Sequence, residues 1–124
     1  MKLDILYASQ TGNAEIVAKE LYELAITQGF EANIDEMNNY SIKQFNELKN
    51  VAIVTSTFGE GDVPDMGIEF WEDLKKSKVK LNQQKYGMIA LGDRSHAIFC
   101  GGGKKISLKL DELGSKNFRR IQFN

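Results

Sequence analysis

The strongest constraint in this chain is one pattern met three times: an apolar run, then a cluster of small or polar residues, then apolar residues at helical spacing. Leu3 to Tyr7 leads into Ser9-Gln10-Thr11-Gly12-Asn13, Val51-Ala52-Ile53-Val54 into Thr55-Ser56-Thr57, and Tyr86-Gly87-Met88-Ile89-Ala90-Leu91 into Gly92. Short continuous apolar runs such as Val51 to Val54 suit strands buried on both faces, as in parallel sheets sandwiched by helices. Strands that alternate with helices are joined by right-handed crossovers, so the expected class is α/β: a doubly wound parallel sheet with helices on both faces.

The intervening segments fit that frame. Ala14, Val17, Ala18, Leu21, Leu24 and Ala25 recur at helical spacing, Asn13 can cap that helix, and Gly29 stands where it ends. Glu31 to Met37 alternates weakly, as an edge strand does, and Ser41 can cap a short helix through Leu48. Pro64 is placed to open a helix striped by Phe70, Trp71 and Leu74. Gly92 to Gly103 reads as a long loop. Ile106, Leu108, Leu110 and Leu113 mark a helix closed by Gly114, and Phe118 to Phe123 a last strand. With 124 residues and no repeat or linker, the expectation is a single domain over 1–124.

Composition removes several classes of function. No apolar run is long enough to cross a bilayer, and Asp4 interrupts any signal peptide, so the expected location is cytoplasmic. The single cysteine, Cys100, has no partner in this chain for a disulfide, which fits a reducing compartment. A net charge of -1 argues against a nucleic-acid binder that relies on excess Lys and Arg.

Loops 9–13, 56–65 and 92–103 each follow a strand, so in an open parallel sheet they share the carboxyl rim where ligands bind. The first offers backbone N–H groups, the Ser9 and Thr11 hydroxyls, the Asn13 amide and a helix N-terminus, all suited to a phosphate. It has no Lys or Arg, and no Walker pattern occurs in the chain, which points to a monophosphate rather than a nucleoside triphosphate. The same residues suit any strand-to-helix turn, so this loop alone leaves both readings open.

In the second loop Phe58 stands beside Gly59, where a planar ring could stack, although Phe58 could equally cover the edge of the core. Glu60, Asp62, Asp65 and Glu69 make that rim acidic. The third loop carries Asp93, Arg94, Ser95, His96, Phe99 and Cys100. Its Asp, Ser and His are sequence neighbours without a G-x-S-x-G elbow, and its His and Cys lack the further ligands of a zinc site, so neither a hydrolase triad nor a metal is expected.

In register, Ser9-Gln10-Thr11-Gly12-Asn13-Ala14-Glu15, Thr55-Ser56-Thr57-Phe58-Gly59-Glu60-Gly61-Asp62-Val63-Pro64-Asp65 with Phe70-Trp71, Ala90-Leu91-Gly92-Asp93 and Phe99-Cys100-Gly101 resemble the flavodoxin family. The likeness extends to the FMN domains of diflavin reductases, such as cytochrome P450 reductase and the sulfite reductase flavoprotein, and to small stand-alone members. It implies a five-stranded parallel sheet in the order 2-1-3-4-5. It also implies noncovalent FMN and one-electron shuttling from an NAD(P)H-dependent flavoprotein reductase to an acceptor protein, with docking at the acidic rim.

By that resemblance Ser9, Gln10, Thr11, Gly12, Asn13 and Ala14 hold the phosphate. Ser56, Thr57, Phe58, Gly59, Glu60 and Gly61 pass one face and the N5 edge of the flavin ring, and the Gly59 carbonyl could turn toward N5. Leu91, Gly92, Asp93, His96, Phe99 and Cys100 pass the other face and the pyrimidine edge. No catalytic acid, base or nucleophile is required. His96 stands where many relatives carry a stacking tyrosine, so its titration could make the flavin potential depend on pH.

Relatives usually continue past the fifth strand into another helix. The resemblance therefore implies an uncovered apolar sheet face here, from truncation or open to a partner or a second copy. Two other readings stay open at this point: an FMN-dependent quinone or small-molecule reductase, and a flavin-free interaction or regulatory module on the same fold.

Overall fold

The computed structural model describes residues 1–10, 12–57, 62–92 and 101–123, with side chains through residue 118. The elements are β1 (Lys2–Ala8), α1 (Asn13–Thr27), β2 (Glu31–Glu36), a 3-10 turn (Met37–Asn39), α2 (Ile42–Asn46), β3 (Asn50–Thr55), α3 (Asp65–Lys76), β4 (Lys85–Leu91), α4 (Gly101–Glu112) and β5 (Lys116–Phe123). All strand pairs are parallel and the sheet order is β2-β1-β3-β4-β5. The chain winds outward from β1 to β2, then crosses to β3 on the other side of β1, so the winding reverses between β1 and β3. A crevice opens at such a reversal, at the carboxyl ends of the strands.

Strand register sorts the side chains into two cores. Leu6, Ile53 and Met88 share a row across β1, β3 and β4. With Phe45, Phe70, Leu74, Ile106 and Leu110 they form the larger core. There the Phe45 and Phe70 rings meet edge to face with centroids 5.0 Å apart. On the opposite face Ile5 and Val54 pack against Ala14 and Ala18 of α1. Small alanines let α1 lie close to the strands.

Among the described helices α1 alone covers this second face. It leaves a groove of about 470 Å³ toward β4 and β5, lined by Leu3, Leu21, Phe30, Ala52, Ile89 and Phe118 among others. Phe118 is 79% exposed and Leu24 on the flank of α1 is 56% exposed.

Local signals set most boundaries. Ser41 forms a full capping box with Gln44, each side chain bonding the other's backbone N–H, as its position before α2 predicts. Gly29 and Gly114 adopt left-handed φ values of 89° and 97° just past α1 and α4.

Four boundaries differ from expectation. Gly12, not Asn13, occupies the N-cap of α1. Pro64 is the N-cap of α3 rather than its first residue. α2 closes at Asn46, short of Leu48. β5 starts at Lys116, where its ladder with β4 begins opposite Lys85.

The larger difference is α4 (Gly101–Glu112), which already includes Gly101 to Gly103 of the expected loop. A Cβ on Gly103 would lie 2.6 Å from the Ala90 Cβ, and one on Gly102 would lie 3.0 Å from the Ser56 oxygen and 2.9 Å from the Asp62 oxygen. Close contact with β4 and with the second loop explains Gly103 and Gly102. Leu108, expected on the inner stripe, points to solvent at 68% exposure.

Candidate functional site

Strands β1, β3 and β4 end side by side at Ala8, Thr55 and Leu91, and the Ser56 N–H donates to the Ala8 carbonyl at 3.0 Å across the rim. Ser9 and Gln10 follow just beyond β1. Ser9 is buried, and its Oγ accepts the Gly12 N–H at 2.8 Å. Ser56 Oγ accepts the Gln10 N–H at 3.3 Å. Both serines use an acceptor lone pair on the protein, and neither hydroxyl donates to a described partner, so both hydrogens remain available to an anion.

Gly12 holds φ at 94°, a conformation that glycine adopts at little cost. It aims the first turn of α1 at the same place. That helix has no side-chain cap at its N-terminus, in contrast to α2 with its capping box. The N–H groups of Asn13, Ala14 and Glu15 precede the first i to i−4 bond, which is Ile16 N to Gly12 O at 3.1 Å. Ala14 is buried against Ile5 and Val54, and the Glu15 charge is drawn aside by Lys19 at 3.0 Å. Free backbone donors, two hydroxyl hydrogens and the positive end of a helix converge, which is the chemistry of a phosphate site.

The second loop departs from the same rim. Thr57 is 7% exposed, and its Oγ1 is buried without a hydrogen-bond partner among the described residues. A buried hydroxyl left unpaired costs free energy, so its place here marks a position suited to a polar ligand edge. The far end of the loop is braced from two sides. Lys105 Nζ of α4 lies 3.1 Å from Asp62 Oδ1. The Asp65 N–H, first donor of α3, reaches Gln10 Oε1 at 3.3 Å. Asp62, Asp65 and Glu69 are exposed and leave this rim acidic.

Beside the site, burial raises the Tyr7 hydroxyl pKa, and the charges of Glu15, Glu36 and Asp35 push it the same way, so Tyr7 is neutral at physiological pH.

Of the residues expected at the site, Ser9, Gln10, Gly12, Asn13, Ala14, Ser56 and Thr57 come together at this rim, and Leu91 and Gly92 close β4 on it. Thr11, Phe58, Gly59, Glu60, Gly61, Asp93, His96, Phe99 and Cys100 lie outside the described residues. One participant and one role were not legible in advance. Gly102 admits the Ser56 and Asp62 carbonyls, and the Gln10 side chain is engaged with α3. Among the described residues no His, Cys, Asp and Glu side chains gather as a metal site, and no helix is long and apolar enough to cross a membrane.

Comparison with known proteins gives this rim its context. The sequence pattern of the flavodoxin family matches residues 5–122. The chain belongs to the flavodoxin family.

Its relatives include the sulfite reductase [NADPH] flavoprotein alpha-component of Shewanella oneidensis, 42% identical over 113 residues, which are 90% of this chain and 19% of that protein. This flavodoxin-family chain thus spans about a fifth of the length of that relative. Among solved structures, a cysteine-to-alanine variant of Pseudomonas aeruginosa flavodoxin superposes with a TM-score of 0.86 at 28% identity, covering 100% of this chain and 84% of that one. A variant of Fusobacterium nucleatum flavodoxin, solved with flavin mononucleotide bound, shares the fold with a TM-score of 0.79 at 19% identity, over 94% of this chain and 66% of that one. The sheet order expected from the family resemblance is the one observed.

Proposed function

We propose that this chain binds FMN at the carboxyl rim and serves as a one-electron carrier between an NAD(P)H-dependent flavoprotein reductase and an acceptor protein. The observation that carries the reading is the convergence of the uncapped α1 N-terminus with the Ser9 and Ser56 hydroxyls, beside the Thr57 hydroxyl, which is buried without a partner among the described residues. The first set suits a phosphate monoester, and the second suits the polar edge of a ring held nearby. Family membership and the flavoprotein relative support the same cofactor. FMN, when bound, supplies the one-electron redox chemistry.

The chain's own residues do the rest. Gly12, Asn13 and Ala14 present the helix end, while Ser9 and Ser56 donate hydroxyl hydrogens. The glycines Gly102 and Gly103 let α4 close on the rim without pushing the second loop away. Asp62, Asp65 and Glu69 supply a negative field that orients a basic partner before contact. The relative's name supports NADPH as the electron source, and the lone cysteine is in keeping with a cytoplasmic setting.

The test is a titration of the purified protein with FMN, followed by visible absorbance and flavin fluorescence and then by stepwise reduction. Saturable uptake with stoichiometry near one and two separable one-electron steps are expected. A protein that leaves FMN fluorescence unchanged would refute the binding reading. Steady NAD(P)H oxidation without a partner would replace the carrier by a reductase.

A further inference from the structure

The sheet face that carries α1 has a ridge beside a trough. The ridge is α1, which packs on β1, β2 and β3. Its crest holds Ile16, Glu20, Glu23 and Leu24, spaced three and four apart and all exposed. The trough is the groove of about 470 Å³ over β3 and β4 toward β5. Its floor is low because Ala52 and Gly87, both small, stand opposite each other in register. Its outer wall is Phe118. The ladder of β4 with β5 slips at Tyr86/Gly87, pairing Asn117 with Tyr86 and Arg119 with Gly87, so Phe118 is the extra residue between them. Such a bulge re-aims a side chain, and the Phe118 ring lines the trough while remaining mostly in water. At the foot of the trough Lys85 and Lys116 pair across β4 and β5, both exposed. Neither lysine, and neither crest glutamate, enters an ion pair among the described residues.

We infer that this face is a self-association surface, and that its occupant is a second copy of this chain paired about a twofold axis parallel to the strands. That operation sets the crest of each α1 into the trough of the other copy, so one contact is made twice. Ile16 and Leu24 then meet Phe118 and the floor of Ala52 and Gly87, while Glu20 and Glu23 come over Lys85 and Lys116. Each copy supplies a second helix to the other's half-covered sheet face, which takes apolar surface out of water. Charge selects a second copy over other apolar partners, because an acidic crest and a basic foot occur on the same molecule. The net charge of -1 leaves little repulsion between copies. The contact is separate from the FMN reading: α3, which carries Asp65 and Glu69 of the acidic rim, packs on the opposite face of the sheet.

Sedimentation velocity on the chain of 124 residues, from micromolar to millimolar concentration and at low and high salt, tests the inference. A monomer–dimer equilibrium that shifts toward monomer as salt rises is expected. Phe118→Ser and Leu24→Lys change exposed side chains, so circular dichroism and thermal midpoint of the diluted proteins should match the wild type. Their dimer affinity should nevertheless fall at least about thirtyfold, as for residues at the centre of an interface. Glu20→Lys should weaken the dimer, and adding Lys85→Glu in the same chain should restore it, because the two changes exchange sign across the contact. A chain that stays monomeric at every concentration overturns the inference. A dimer indifferent to Phe118→Ser, Leu24→Lys and Glu20→Lys overturns it too, since the copies then meet through another surface, and absence of rescue by Lys85→Glu overturns the twofold arrangement. A monomer that takes up the apolar dye anilinonaphthalene sulfonate, and loses that uptake in Phe118→Ser, gives the groove to a small apolar ligand or another protein's helix in place of a second copy.

Discussion

Gly103 of α4 and Ala90 of β4 approach so closely that a Cβ on the glycine would lie 2.6 Å from the alanine Cβ. The obstacle is a rigid Cβ on a central strand, not the tip of a flexible side chain, so α4 must move if any side chain is added. Gly103→Ala is expected to destabilise the fold by about 1–3 kcal/mol, the usual cost of overpacking. The gain in helix propensity, about 1 kcal/mol, offsets only part of it. Urea unfolding of the two proteins measures the difference, and a variant as stable as the wild type would show that α4 slides freely on β4.

Gly12 calls for a different argument, because no described atom beyond its chain neighbours lies within 4 Å of the Cβ it lacks. Its φ of 94° opposes a side chain by itself. Gly12→Ala should therefore cost about 1–2 kcal/mol from backbone strain alone, and Gly12→Asn less, since asparagine tolerates this conformation. Relaxation of the strain would turn the first N–H groups of α1 away from the anion, so phosphate and FMN affinity should fall with stability in Gly12→Ala. Isothermal titration with inorganic phosphate reads the binding half. Unaltered affinity in a strained variant would remove the helix end from the site.

How much of this was legible in the sequence follows from the range over which each interaction acts. The buried strands declared themselves because an apolar run reports burial directly, and the Ser41–Gln44 box because capping is local. The helical state of Gly101 to Gly103 did not, since three successive glycines have poor intrinsic helix propensity and the close approach of Gly102 and Gly103 to Ser56, Asp62 and Ala90 leaves no local signature. Leu108 fits a helical stripe by spacing, yet the face that buries Ile106 and Leu110 turns it outward. At the site the loop residues were readable by type. The Gln10 to Asp65 bond was not, because a hydrogen bond across 55 positions leaves no local signature.

Alkaline pH offers a test of burial on both sides of β1. Burial, then Glu15, Glu36 and Asp35, raises the Tyr7 pKa; burial, then Asp4 and Asp35, raises that of Tyr40. An unfolded tyrosine titrates near 10. Above that pH the folded chain holds protons that the unfolded chain has lost, so stability falls as pH rises. The contribution is fully present below about pH 10 and is lost as pH passes through the raised folded values. Urea midpoints should thus be flat through neutral pH and decline above about pH 10, with Tyr7→Phe and Tyr40→Phe each making the decline shallower. An unchanged slope in both variants would mean that neither hydroxyl is perturbed.

Thr57 separates folding from binding most cleanly. Its hydroxyl is buried and finds no partner among the described residues, so in the free protein it contributes a desolvation cost with no bond to offset it. Thr57→Val keeps the shape and removes the oxygen. The free variant should be as stable as the wild type or more so by about 1 kcal/mol, a direction opposite to that of most buried substitutions. With FMN present the order should reverse, because the wild type gains a hydrogen bond of about 1 kcal/mol that valine cannot make, equivalent to roughly a fivefold difference in affinity. Thermal midpoints with and without saturating FMN show both effects in one experiment. Loss of stability in the free variant would mean that the hydroxyl already serves the fold, and equal FMN affinity would remove Thr57 from the ring's edge.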